Sequence, residues 1–167
     1  MTENISEPLL GKRIIVVEDD YLLARDMCSE LRSRGAKILG PAPTPFYAAQ
    51  LIGSASKTRI DAAVLDIRLH GFEVYDLADE LVARRIPFLF ATATDRNEIP
   101  KRFKHAKVLN KPLDHGALVR NLISALNTPG RVIQPTISST PLPASTDTNE
   151  ARFARALARA IGSPVSR

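Results

Sequence analysis

An α/β protein with a doubly wound, five-stranded parallel sheet and about five helices is the fold class that this sequence predicts. Three observations point to it. Short apolar runs rich in β-branched or aromatic residues alternate with stretches of helical periodicity from Lys12 to Leu126. The runs are continuous rather than alternating, as expected of strands covered on both faces. Strand and helix alternate about five times in so short a chain, an order that winds into a parallel sheet.

Lys12–Val17 (KRIIVV) reads as the first strand. Leu23, Met27 and Leu31 then recur every fourth residue with charges between them, and Gly35 follows, so this stretch is an amphipathic helix with a C-terminal stop. Lys37–Leu39 is a second short strand. Thr44-Pro45 supplies an N-cap and a first-turn proline to a helix with Ala48, Leu51 and Ile52 on one side. Ala62–Leu65 (AAVL) is the third strand, and a helix over roughly 74–84 turns Leu77, Leu81 and Val82 inward. Phe88–Ala91 (FLFA) is the fourth strand, a short helix is expected around Asn97–Lys104, and Lys107–Leu109 is the fifth strand. Asp114 caps a last helix striped by Leu118, Val119, Leu122, Ile123 and Leu126.

Composition agrees with one domain and an appendage. The 167 residues are 44% apolar and 25% charged, enough to bury a core. The net charge is +5, but the first 127 residues carry only +2 and the remainder +3. Basicity so diluted does not make a nucleic-acid-binding surface, and no direct DNA binding is expected. A single cysteine, Cys28, excludes an internal disulfide framework and a thiolate zinc site, and is expected to be a small buried packing residue. No apolar run approaches membrane-spanning length and the N-terminus lacks a signal-peptide pattern, so a cytoplasmic protein without membrane contact is expected.

The expected organisation is an N-terminal extension over 1–11, the α/β domain over 12–127, a linker over 128–147 and a short amphipathic helix or disordered tail over 148–167. Thr128–Thr148 holds four Pro and eight Ser/Thr and cannot bury enough apolar area to fold alone. Beyond it, Phe153, Leu157 and Ile161 fall on one helical face and Arg152, Arg155 and Arg159 elsewhere, a helix that is marginal when isolated.

In open parallel sheets ligands bind at the carboxyl ends of the strands, where strand order reverses. Those ends carry Glu18-Asp19-Asp20, Asp66, Thr92 and Asn110-Lys111-Pro112. Taken singly, each has a plain structural reading: Asp66 closing a loop, Asp20 capping a helix, Thr92 bonding backbone, Lys111 sitting in solvent. Their coincidence on successive strand ends favours a site. Carboxylates, a hydroxyl and a lysine together suit phosphoryl transfer assisted by a divalent ion. A carboxylate nucleophile would form an aspartyl-phosphate, with the lysine and the hydroxyl stabilising the charge.

The motifs VVEDD (16–20), VLDIRL (64–69), FAT (90–92) and NKP (110–112) resemble the receiver domain of two-component response regulators over about residues 12–127. The resemblance implies a flavodoxin-like fold with Asp66 as phosphoacceptor, Thr92 as switch hydroxyl and Lys111 as the family's lysine. It implies Mg²⁺ held by Glu18, Asp19, Asp66 and the backbone carbonyl of Arg68, and a cis Lys111–Pro112 bond. IPFLFAT (86–92) is most similar to the stand-alone FAT GUY subgroup. There the signature continues with Gly and an aromatic, where this chain has Ala93-Thr94-Asp95. Val108 stands where receivers usually carry Tyr or Phe.

The implied function is that of a stand-alone signalling phosphoacceptor, catalysing its own phosphorylation and dephosphorylation rather than acting as an enzyme on a separate substrate. A sensor histidine kinase or histidine phosphotransfer protein would donate the phosphoryl group, and output would pass to a downstream protein or along a relay. The alternative is a receiver-like interaction module that works without phosphorylation. A haloacid-type phosphatase is disfavoured, because that family carries a second Asp where this chain has Arg68.

Overall fold

A computed structural model describes residues 7–55 and 59–128. The chain divides into two units, Met1–Pro135 and Thr136–Arg167. The second unit lies outside the described residues, and with it the tail helix and most of the linker read from the sequence.

The first unit contains a five-stranded parallel sheet built from β1 (Arg13–Val17), β2 (Lys37–Ala42), β3 (Ala62–Leu65), β6 (Phe88–Thr92) and β7 (Lys107–Asn110). The strand order is β2-β1-β3-β6-β7. The order reverses between β1 and β3, which places the switch point between those two strands. Among the described residues four α-helices cover the sheet: α1 (Tyr21–Ser33), α2 (Pro45–Ser54), α3 (Tyr75–Ala83) and α4 (His115–Leu126). A small hairpin of β4 (Arg68–Leu69) and β5 (Phe72–Glu73) stands apart from the sheet. Among the described residues no helix is long and apolar enough to cross a membrane.

The continuous apolar strands are explained by their alternation between two cores. Ile15, Val17, Ala63, Leu65, Phe88 and Phe90 face one core, where Ala48 and Ile52 of α2 and Leu77, Ala78 and Leu81 of α3 pack. Ile14, Val16, Ala62, Val64, Leu89 and Ala91 face the other, closed by Met27, Cys28 and Leu31 of α1 and Leu118, Val119 and Leu122 of α4. Cys28 is buried, as its place on α1 predicts. Leu9, from the segment expected to be an extension, is fully buried in the second core, and its N–H donates to the Arg34 carbonyl.

The expected caps form. Asp20 accepts from the N–H groups of Leu22 and Leu23 at 2.9 and 3.0 Å, Thr44 from Tyr47 N–H and Asp114 from Gly116 N–H. Asp20→Ala is expected to lower stability by about 1 kcal/mol, the usual effect of losing such a cap. Urea unfolding of the two proteins measures it, and an unchanged midpoint would contradict the capping role.

Among the described residues four α-helices form, where about five were expected. The stretch around Asn97–Lys104 forms two 3₁₀ turns, Arg96–Glu98 and Lys101–Phe103, instead of a helix. Pro100 is the cause: the residue before proline is pushed out of the helical region, and Ile99 is accordingly extended at φ −73°, ψ 128°. Tertiary packing holds the segment. Phe103 is buried among Tyr75, Phe88 and Phe90, stacked on Tyr75 and edge-on to the two phenylalanines.

The second strand also runs further than its pattern predicts, through Gly40-Pro41 to Ala42, with a register shift against β1 between Ile15 and Val17. Pro41, which has no N–H to donate, is tolerated because β2 is an edge strand. Gly40 has φ +97°, and a Cβ there would lie 2.8 Å from Ala42 N and 3.0 Å from the Val16 carbonyl oxygen, so no larger residue fits. The Gly40–Pro41 and Lys111–Pro112 bonds are both cis.

Candidate functional site

Five of the six predicted site residues end a strand of the main sheet or come just after one, and the sixth, Arg68, opens the β4–β5 hairpin. Glu18 and Asp19 follow β1, Asp66 follows β3, Thr92 ends β6 and Lys111 follows β7. Because β1, β3, β6 and β7 lie side by side, residues spread over 94 positions share one edge of the sheet. Ladder-like bonds continue into the site: Asp66 N–H donates to the Val17 carbonyl, Glu18 N–H to Ala42 and Lys111 N–H to Thr92.

Lys111 is the centre of the constellation. Its Nζ lies 2.7 Å from Asp66 Oδ2 and 2.7 Å from Glu18 Oε2. The Glu18 side chain is fully enclosed, and those of Asp66 and Lys111 are 9% and 16% exposed. At this burial the ion contacts are only weakly screened by solvent. Burial pushes the Glu18 carboxyl above its ordinary value, against the opposing pull of Lys111 and of the Asp20 N–H. Burial also pulls Lys111 down, but the adjacent carboxylates of Asp66 and Glu18 outweigh that and hold the ammonium above its usual value.

Glu18, Asp19 and Asp66 each bring one carboxylate oxygen within 4.8 Å of the others, a cluster that could hold a metal ion. The donors are hard oxygens, which suits a divalent cation of the Mg²⁺ type. Glu18 Oε2 lies within ion-pairing distance of Lys111 but, although buried, receives no well-directed hydrogen bond. A buried oxygen left in that condition is a fitting donor for a cation or for one of its waters.

Thr92 is fully buried at the same edge, but its hydroxyl is turned to a neighbour. It donates to Thr94 Oγ1 and accepts from Thr94 N–H, both at 3.2 Å. Arg68 N–H lies 3.4 Å from Asp66 Oδ1, a long contact, while its guanidinium bonds Glu98 Oε2 at 2.8 Å on the surface. Val108 is half-buried against the first core, beside Phe90 in register.

Two partners were not legible in the sequence: Thr94, which holds Thr92, and His70, which holds Asp19. His70 N–H donates to Asp19 Oδ2 at 2.9 Å, and its Nδ1 is 3.5 Å from the same oxygen. The available signal was Leu69-His70-Gly71-Phe72, two apolar residues flanking a two-residue step that ends in Gly.

The fold and the site together define a doubly wound α/β protein with an acid–lysine cluster at its switch point. No protein-family model matches the chain. The transcriptional regulatory protein PdtaR of Mycobacterium tuberculosis is 27% identical over 102 residues, 60% of this chain and 48% of that protein. The chain thus spans about half the length of the curated relatives it matches. Among solved structures, the BeF3-activated conformation of SdrG from Pseudomonas melonis Fr1 is 31% identical, with 70% of this chain and 98% of that one covered and a TM-score of 0.58. The non-phosphorylated HemR receiver domain from Leptospira biflexa is 26% identical, with 71% and 96% covered and a TM-score of 0.59. The chain belongs to the response regulator receiver domains.

Proposed function

We propose that this receiver is a cytoplasmic phosphoacceptor, taking a phosphoryl group on Asp66 from a sensor histidine kinase or histidine phosphotransfer protein. The observation that carries this reading is the placement of Lys111 Nζ 2.7 Å from the Asp66 carboxylate, beside the Glu18–Asp19–Asp66 cluster. An Asp66 oxygen attacks the phosphorus of the phosphohistidine, the P–N bond breaks, the imidazole leaves, and an acyl phosphate forms. Lys111 stays beside the carboxylate and stabilises the charge that develops on the phosphoryl oxygens.

Glu18, Asp19, Asp66 and the Arg68 carbonyl would hold Mg²⁺. When bound, the ion neutralises phosphoryl oxygens and lets an anionic donor approach an anionic acceptor. Hydrolysis of the acyl phosphate resets the protein. For the output, Thr92 would exchange its bond to Thr94 for one to the phosphoryl group. That exchange would bias the face formed by the 3₁₀ segment, β7 and α4 toward a downstream protein, or toward the next carrier in a relay.

A second reading is favoured by two observations: the Thr92 hydroxyl is engaged with Thr94, and Val108 stands where the family usually has an aromatic. In it the receiver binds partners without phosphorylation. One experiment separates the two. The full chain is incubated with acetyl phosphate and Mg²⁺, with and without EDTA, and its intact mass is measured. The phosphoacceptor reading expects a gain of one phosphoryl group that EDTA abolishes. No gain in Mg²⁺ would overturn it in favour of the second.

A further inference from the structure

The β4–β5 hairpin connects the acceptor strand to the metal-type cluster through its backbone. Leu69 pairs with Phe72 and Arg68 with Glu73. His70 and Gly71 between them have φ +47° and +83°, the doubly left-handed backbone of a two-residue type I′ turn. Pairs in an antiparallel ladder alternate between bonded and non-bonded. With Leu69 and Phe72 bonded across the turn, and Val74 N–H on the Ile67 carbonyl at 3.0 Å, the Arg68–Glu73 pair between them is the non-bonded one. The N–H and carbonyl of Arg68 therefore face away from Glu73. The N–H is the group lying 3.4 Å from Asp66 Oδ1.

The tip completes the arrangement. His70 N–H donates to Asp19 Oδ2 at 2.9 Å, whereas the imidazole, 63% exposed, lies farther off at 3.5 Å. Leu69 anchors the hairpin, fully buried in the first core. Asp19 is 23% exposed and would otherwise be free to turn toward water. With one oxygen held by the turn, the other is available to a cation.

We infer that the His70–Gly71 turn is a positioning device for the divalent-cation site, acting through the His70 backbone N–H on Asp19 rather than through the imidazole. The inference rests on the proposed reading of Glu18, Asp19 and Asp66 as a cation site. Partners that orient a metal ligand in this way typically change affinity by about 10–100-fold when lost. The residue at position 70 must supply an N–H while adopting a left-handed backbone. Asn does both readily; Pro does neither.

The test is calorimetric titration of Mg²⁺ alone into the full chain, as wild type, His70→Asn and His70→Pro. It is paired with hydrogen exchange of the His70 amide in wild type and Asp19→Ala. Wild type and His70→Asn are expected to bind within about twofold of each other, and His70→Pro at least about tenfold more weakly. The His70 amide is expected to exchange at least about tenfold faster once Asp19 is gone. Equal affinity of His70→Pro and wild type, or His70→Asn as weak as His70→Pro, overturns the inference. So does a His70 amide indifferent to Asp19, a readout that decides the matter even if His70→Pro fails to fold. Absence of Mg²⁺ uptake by wild type overturns instead the reading of the cluster as a cation site.

Discussion

Asp66→Asn is expected to take up no phosphoryl group from acetyl phosphate and Mg²⁺ under conditions that label the wild type. Among the described residues, the clustered carboxylates are Glu18, Asp19 and Asp66, and Asp66 alone of them follows the central strand β3. The substitution keeps the side-chain shape and an oxygen for the long contact from Arg68 N–H, but removes the nucleophile. Folding should survive. Removing the Asp66 charge also removes one of the influences that raise the Glu18 carboxyl, and Lys111 retains Glu18 as a partner. Intact-mass measurement reads the labelling, and thermal melting the fold. Equal labelling of wild type and a folded Asp66→Asn protein would remove Asp66 from the role of acceptor.

Lys111→Met is expected to have the largest effect on stability, about 3 kcal/mol near neutral pH and less in acid. Removing one partner of a buried ion pair typically costs about 3–5 kcal/mol, because the remaining charge is left uncompensated. The partial exposure of Lys111 places this case toward the low end.

The pH dependence has a definite sign. The folded-state pKa of Glu18 is raised by burial, so its contribution is fully present below its unfolded value and is lost as pH rises through the folded one. Lys111 limits that loss in the wild type. Without the ammonium, the Glu18 carboxyl climbs further and the loss grows. Lys111, itself held above its ordinary value, contributes fully below its unfolded pKa and is lost only as pH rises through the folded value, in the strongly alkaline range. The deficit of Lys111→Met should therefore grow as pH rises through the titration of the Glu18 carboxyl, while the contribution of the ammonium itself stays constant over that range. Urea unfolding in EDTA at several pH values measures it. A deficit independent of pH would show that the methionine disturbs packing and that the carboxylates are not the cause.

Features encoded by contiguous residues were readable along the chain. Continuous runs such as Ile14–Val17 and Ala62–Leu65 state burial on both faces wherever they are placed. Asp20, Thr44-Pro45 and Asp114 cap helices through donors two or three residues away. Strand-end chemistry was legible for a related reason: a doubly wound sheet gathers its carboxyl ends at one edge, so Glu18, Asp19, Asp66, Thr92 and Lys111 could be assigned there before any distance was known.

Which of these groups meet depends on contacts between distant parts of the chain. Lys111 takes Asp66 and Glu18, Asp19 takes the hairpin, and Thr92 takes Thr94. Two-residue strands such as β4 and β5 carry no periodicity to read. Phe103 was similarly silent: its burial against Tyr75, Phe88 and Phe90 holds in 3₁₀ turns a stretch whose composition suggested a helix. The physical reason is common to all of these cases. A periodic pattern or a cap is a local interaction between near neighbours along the chain. A partner 45 or 51 positions away is selected by strand order, burial and the direction of a backbone N–H, which exist only once the sheet has formed.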